Sequence, residues 1–277
     1  MTSFQPGLGQ AYAEVIGDPI KHSKSPVIHG FWLKKLGILG DYRTQHVLAD
    51  GLADYFEIRR DDPNWRGCNI TIPHKIAALD HVTDPGGIRS SIGAINTVFR
   101  DEKGALVGTN TDAAGFFAPI SEDEWAHRDA IVIGAGGAAR AILFALAQAD
   151  IGSVTILARS PLKAAALLSH FGLKGQVLKM DAPLPPAELL VNSSPLGMTG
   201  QPPLEIDLSV LPENAVVYDI VYSPLETQLL AQARNLGLDV VDGLDMLIGQ
   251  AAFAFELFFG QAPPADCEDE LRALLLK

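Results

Sequence analysis

The stretch Ile131-Val132-Ile133-Gly134-Ala135-Gly136-Gly137-Ala138-Ala139-Arg140 reads as an apolar strand that runs through a glycine turn into an alanine-rich helix. Gly134, Gly136 and Ala139 fit the G-x-G-x-x-G/A spacing. In that spacing the first glycine permits a tight turn and the second lets the backbone approach a pyrophosphate. The third small residue lets the helix pack closely on the strand. The first N–H groups of the helix then meet the anion with the positive end of the helix dipole. Gly134, Ala135, Gly136, Gly137 and Ala138 are therefore candidate cofactor contacts. A ligand-free turn from strand to helix would use the same residues, so the surrounding pattern has to decide.

Downstream the pattern repeats. Strand Val154–Leu157, helix Pro161–Phe171, strands Gln176–Leu178, Leu189–Asn192 and Val216–Val221, helix Glu226–Leu236 and strand Asp239–Val241 alternate. Such units predict a parallel sheet covered on both faces, a Rossmann-like doubly wound α/β domain over residues 113–242. The second strand ends Leu157-Ala158-Arg159-Ser160, without the Asp or Glu that binds the ribose 2′-OH in NAD-binding versions. Arg159 offers a planar, permanently charged fork suited to a 2′-phosphate, Ser160 a hydroxyl and Lys163 a second cation. The bland reading makes these solvated surface charges. The missing acid and the present cations point the same way, to NADP.

Upstream, strand Ala11–Gly17 leads through the loop Ile20–Ser25 into a helix with Ser25 as expected N-cap and Pro26 at its first position. Val27, Ile28, Phe31, Trp32 and Leu36 fall on its expected apolar face. Strands follow at Tyr42–Val47 and Cys68–Ile72, then a hairpin joining Ile95–Arg100 to Leu106–Gly108. From Leu244 the chain reads as helical again, with Phe253 and Leu257 as helix core and an amphipathic helix at Cys267–Leu276. Residues 1–112, completed by 243–277, are expected to form an α/β substrate-binding domain, with a cleft between it and the cofactor domain.

Composition narrows the partners. A formal charge of −12 disfavours nucleic acid and anionic membrane, which need a basic surface. No run of 18 apolar residues exists, and Met1–Gln10 lacks the pattern of a secretory leader. Two distant cysteines, Cys68 and Cys267, fit a reducing compartment, so a cytoplasmic location is expected. The seven histidines are scattered, with no H-E-x-x-H, and no metal is expected.

Three polar clusters make poor sense as packing: Ser23 and Ser25 beside a helix start, Asn69–Lys75 where a strand runs out, and Gly93–Thr97 with Gly108–Asp112. Together with Gly17-Asp18-Pro19-Ile20, His22-Ser23, Gly134–Arg140, Asn192-Ser193-Ser194-Pro195, Tyr218-Asp219, Tyr222, Asp242-Gly243 and Gln250, they strongly resemble the shikimate dehydrogenase family, in order, over residues 12–260. The resemblance implies Lys75 as catalytic acid/base and Asp112 as its partner carboxylate. It implies Ser23, Ser25, Thr71, Lys75, Asn96, Asp112, Tyr222 and Gln250 as the shikimate-binding set, with the two serines towards the carboxylate. It implies Gly134–Ala138, Arg159, Ser160, Lys163, Ile220 and Gly243 as NADP contacts. Two departures stand out: Ala158 where relatives often carry Asn, and Pro85-Gly86-Gly87 where relatives often carry a helix with an acidic residue.

Oxidising a secondary alcohol needs hydride departure and removal of the hydroxyl proton. Lys75 is the natural acceptor of that proton, and its donor in reverse. A charged Lys75 would instead stabilise the alkoxide-like transition state. On this reading the chain reduces 3-dehydroshikimate reversibly in aromatic amino acid biosynthesis, as a monomer or homodimer. Two alternatives stay open: a quinate/shikimate dehydrogenase with relaxed choice, and a non-enzymatic dinucleotide-sensing module.

Overall fold

The structure, a computed structural model, describes residues 9–276. Met1–Leu8, read above for a leader, lie outside the described residues. The chain divides into two compact units. One runs to Thr111 and resumes at Gln250; the other is Asp112–Gly249.

In the first unit, β1 (Ala11–Gly17), β2 (Gly40–His46), β3 (Trp65–Ile70), β4 (Thr97–Arg100) and β5 (Leu106–Thr109) form one sheet in the order β2-β1-β3-β4-β5. β1 pairs in parallel with β2 and β3, while β3–β4 and β4–β5 are antiparallel. The register sets Asn69 opposite Thr97, and Thr97 opposite Thr109. The ends of β1 and β3, the start of β4 and the end of β5 therefore share one edge of the sheet. Helices α1 (Ser25–Leu36), α2 (Leu52–Asp61) and α3 (Ile88–Ser91) belong to this unit.

β1 lies inside the sheet, between β2 and β3, and its interior residues are buried, Glu14 among them at 1% exposure. A buried carboxylate persists only when paired and hydrogen-bonded. Arg59 binds it bidentately at 2.7 and 3.0 Å, and Tyr55 OH donates at 2.9 Å.

Two expectations for α1 are corrected. Its N-cap is Lys24, and Ser25 is already helical, with no side-chain cap bond. The Ser23 hydroxyl accepts from Ser25 N at 3.3 Å, and Ser25 itself is buried. The apolar face also turns: Val27 is exposed, whereas Ile28, His29, Trp32 and Leu33 are buried. The buried stripe is rotated towards His29, whose ring stacks on Tyr42 inside the core.

In the second unit, α4 (Asp112–Phe117) precedes β6 (Asp129–Ile133), α5 (Gly137–Gln148), β7 (Ser153–Leu157), α6 (Pro161–Phe171), β8 (Gly175–Leu178), β9 (Leu189–Asn192), β10 (Val216–Asp219), α7 (Gln228–Asn235) and β11 (Asp239–Val241). All six strands are parallel, in the order β11-β10-β9-β6-β7-β8. Counted within the unit this is 3-2-1-4-5-6, the Rossmann order. The sheet carries apolar residues on both faces, with Ile131, Ile133, Leu190 and Val217 in one core cluster.

Helix α8 (Gly243–Phe259) starts in the second unit and ends in the first, with the division at Gln250 rather than at residue 243. A Cβ on Gly249 would stand 3.2 Å from Gly115 Cα, so this part of α8 packs against α4. Phe253 and Leu257, expected in the core, are exposed; Ala251, Ala254, Phe255 and Phe258 are buried instead. Helix α9 (Glu268–Leu275) is tied to α1 by Lys24 Nζ, which donates to the Leu275 carbonyl.

Candidate functional site

The topological switch of the parallel sheet lies between β6 and β9, where strand order reverses and open α/β sheets bind ligands. The glycine turn leaves β6 there. Gly134 takes φ +113°, and a Cβ on it would stand 2.8 Å from Ser193 Oγ. Ser193, at the end of β9, clamps the turn: its N and its Oγ both donate to the Ile133 carbonyl, at 2.8 and 2.7 Å. Gly136 is the opposite case. A Cβ there would meet nothing within 4 Å, so the backbone faces open space at the start of α5. Ala139 is fully buried against the sheet. These features fit a pyrophosphate: a clamped turn, an unshielded backbone and a helix N-terminus.

Arg159 and Ser160 follow β7, and Lys163 lies in the first turn of α6; all three are exposed. Neither cation is in an ion pair among the described residues, and no acid stands at the strand end. Ala158 is buried and offers only its backbone, its N–H donating to Leu178 O at 3.2 Å. Ile220 follows β10 and donates its N–H to Asn192 O at 3.1 Å. A Cβ on Gly243 would lie 2.5 Å from the Ile220 carbonyl, which brings these two residues together. Asp219 is fully buried, and burial raises its carboxyl above the usual range against bonds from Thr227, Val221 and Asn192. Asp112 opens α4 and is buried, and Tyr222, whose phenol is also raised by burial, follows β10.

The first unit gathers Ser23, Ser25, Thr71, Lys75, Asn96 and Gln250. Thr71 N donates to Ile16 O at 2.9 Å, joining the ends of β1 and β3. Three residues on, the His74 ring is buried and donates through Nε2 to Val47 O at 2.7 Å. Lys75 comes next, and its carbonyl accepts from Ile95 N at 2.8 Å. The lysine is thus anchored through its own backbone and through its neighbour's ring. Asn96 is 2% exposed and donates to Gln250 Oε1 at 3.3 Å. The glycine-rich stretch Pro85–Gly87 leads into α3, whose N–H groups at Ile88 and Arg89 are capped by Asp84 at 2.7 and 2.8 Å. An acidic residue therefore serves that helix despite the glycines.

Comparison with known proteins adds the relation. The pattern of the Shikimate dehydrogenase substrate binding domain matches residues 15–98, and that of the Shikimate 5'-dehydrogenase C-terminal domain matches 243–267. A protein of Sphingopyxis alaskensis named Shikimate dehydrogenase (NADP(+)) is 64% identical over 265 residues, 96% of this chain and 97% of that one. The chain belongs to the shikimate dehydrogenase family. A shikimate dehydrogenase of Thermus thermophilus, solved in complex with NADP(H) and shikimate, superposes with TM-score 0.83 at 37% identity, over 96% of this chain and 100% of that one. The quinate dehydrogenase of Corynebacterium glutamicum, solved with NAD, has the same TM-score of 0.83 at 28% identity, over 96% of this chain and 99% of that one.

In this member of the shikimate dehydrogenase family, three residues near the expected set went unassigned in the sequence: Tyr42, Asn69 and Thr97, all buried and hydrogen-bonded to one another or to Asn96. The available signal was an Asn inside the otherwise apolar end of the strand Trp65–Ile70. Ser193, part of a quoted motif but given no role, was the other omission; its role shows once β9 is set beside β6.

Proposed function

We propose that this chain is an NADP-dependent shikimate dehydrogenase that interconverts shikimate and 3-dehydroshikimate on the route to the aromatic amino acids. The observation that carries the reading is 64% identity, over nearly the whole chain, to a relative of that name. The acid-free end of β7, with Arg159 and Lys163 exposed, favours NADP over NAD. The buried, reduced cysteines Cys68 and Cys267 suit the cytoplasm. The chain works as a monomer or homodimer.

Gly134–Ala138 would hold the pyrophosphate and Arg159, Ser160 and Lys163 the 2′-phosphate, with Ile220 and Gly243 as further NADP contacts. NADP supplies the hydride acceptor for the alcohol, and NADPH the donor in reverse. The protein's own task is the proton. Lys75, on its fixed backbone, takes the hydroxyl proton during oxidation and returns it to the carbonyl oxygen during reduction. Ser23 and Ser25 bind the substrate carboxylate, helped by the N-terminus of α1. Thr71, Asn96, Asp112, Tyr222 and Gln250 orient the ring through its hydroxyls.

Turnover followed at the nicotinamide absorbance, crossing shikimate and quinate with NADP and NAD, tests the reading. The expected result is that shikimate with NADP is the best pair by at least about tenfold, the discrimination that one well-made hydrogen bond or charge contact supplies. Preference for quinate or for NAD would favour the relaxed enzyme. No turnover with any pair would favour a sensing module.

A further inference from the structure

Among the polar side chains buried in the first unit, six make one group where apolar ones could pack: Tyr42, Asn69, Asn96, Thr97, Thr111 and Gln250. Such burial is tolerated when the hydrogen bonds are made, and here they form one connected chain. Tyr42 OH donates to Asn69 Oδ1 at 2.6 Å, and Asn69 Nδ2 donates to Thr97 Oγ1 at 3.0 Å. Thr97 OH donates to Asn96 Oδ1 at 3.0 Å. Asn96 Nδ2 donates to Thr111 Oγ1 at 2.8 Å and to Gln250 Oε1 at 3.3 Å.

The chain has a direction. Tyr42 gives its one proton to Asn69 Oδ1, and the Asn69 nitrogen faces Thr97 and the Asn96 carbonyl, which accepts from it at 3.4 Å. Thr97 must accept there and give its own proton to Asn96 Oδ1. Thr111 N donates to the same oxygen at 2.7 Å. Asn96 therefore presents its nitrogen to Gln250, and Gln250 answers with Oε1. The polarity of these amides is held from two sides, by the Tyr42 phenol through Asn69 and Thr97 and by the Thr111 N–H, which can only donate.

Tyr42 is itself held in place. Its ring stacks on His29 at 3.9 Å with an interplanar angle of 5°. Its hydroxyl also lies within hydrogen-bonding reach of the Ser25 side chain. The ends of the network, Ser25 at one side and Asn96 with Gln250 at the other, are residues assigned above to substrate. The middle is not.

We propose that Tyr42, Asn69 and Thr97 are positioning residues that fix the donor–acceptor polarity of Asn96 and Gln250, and so select the hydroxyl pattern of the acid that binds. This rests on the substrate reading above. Tyr42→Phe keeps the ring and its stack but removes the proton. Thr97→Val removes the relay hydroxyl at constant shape, and Thr97→Ser keeps it.

Shikimate binding would be measured by calorimetry without cofactor, beside KM, kcat, NADPH affinity and thermal unfolding. Tyr42→Phe and Thr97→Val are expected to raise the shikimate Kd and KM by about tenfold, the cost of an unmet buried bond, with kcat changed less than about threefold. NADPH affinity should not move, and Thr97→Ser should match the wild type. If one variant fails to fold, the other carries the test. Wild-type shikimate affinity in a folded Tyr42→Phe or Thr97→Val protein overturns the proposal, as does equal loss of shikimate and NADPH binding. A wild-type chain that neither binds nor turns over shikimate overturns the function itself, and this selection with it. Wild-type turnover with unaltered variants overturns the network alone.

Discussion

Gly134 packs so closely on Ser193 that a Cβ on the glycine would stand 2.8 Å from the serine Oγ and 3.2 Å from its carbonyl carbon. The start of the cofactor turn and the end of β9 are thus one construction. Gly134→Ala should destabilise the fold by about 1–3 kcal/mol, from the φ of +113° and the contact together. Gly136→Ala should leave thermal unfolding unchanged, because its Cβ meets nothing within 4 Å. The same methyl would stand where a pyrophosphate approaches, and NADPH affinity should fall on the order of tenfold or more. Fluorescence titration and thermal unfolding of the two variants separate fold from ligand. Normal NADPH affinity in Gly136→Ala would refute the assignment.

Arg159→Ala should weaken NADPH by roughly 10- to 150-fold, the worth of a hydrogen bond to a charged group, and leave NADH affinity near its starting value. Parallel titrations with the two nucleotides check this. Equal losses would mean that Arg159 does not read the 2′-phosphate.

His29 links stability to pH. Burial pushes its imidazole down to about 3, and neither ring nitrogen has a partner among the described residues. The unfolded chain takes up this proton near pH 6.5, and the folded chain only near 3. The folded state therefore binds fewer protons between those values. The contribution is full above about 6.5 and is lost as the pH falls towards 3, at about 1.4 kcal/mol per pH unit. Denaturant unfolding at pH 7, 6, 5 and 4 should show nearly parallel stabilities for wild type and His29→Leu near pH 7, and below pH 6 a slope flatter in His29→Leu that approaches this amount. An unchanged slope would show that His29 is not the group.

Glu14 tests the first unit's core. Removing this carboxylate leaves Arg59 partly buried without its bidentate partner and Tyr55 without its acceptor. Glu14→Ala should cost about 3–5 kcal/mol, measured by denaturant unfolding. A loss under about 1 kcal/mol would place the pair among exposed ion pairs.

Much of this was legible in the chain itself, for reasons that differ by region. In the second unit most strands are buried on both faces, so Val154–Leu157 and Leu189–Asn192 read directly as short apolar runs between breakers. Helix Pro161–Phe171 was marked by its initial proline. The first unit was harder. Ser25 looks like a cap, yet it is helical and buried, because Ser23 already meets its N–H. Val27 and Phe253 suit a helical stripe by spacing but are exposed, while polar His29 and Gln250 are inside. Spacing gives a helix period, and which side faces inward depends on partners distant in sequence. The network from Tyr42 to Gln250 was invisible for the same cause: its members come from five separate segments, and only strand pairing brings them together.

The central claim is that the amine following β3 moves the substrate proton. Its most direct test is the turnover of Lys75→Ala with shikimate and NADP, read beside NADPH affinity. We expect kcat to fall by a factor on the order of 100 or more with NADPH affinity unchanged, as for loss of a general acid–base. Turnover near the wild-type rate would contradict the account.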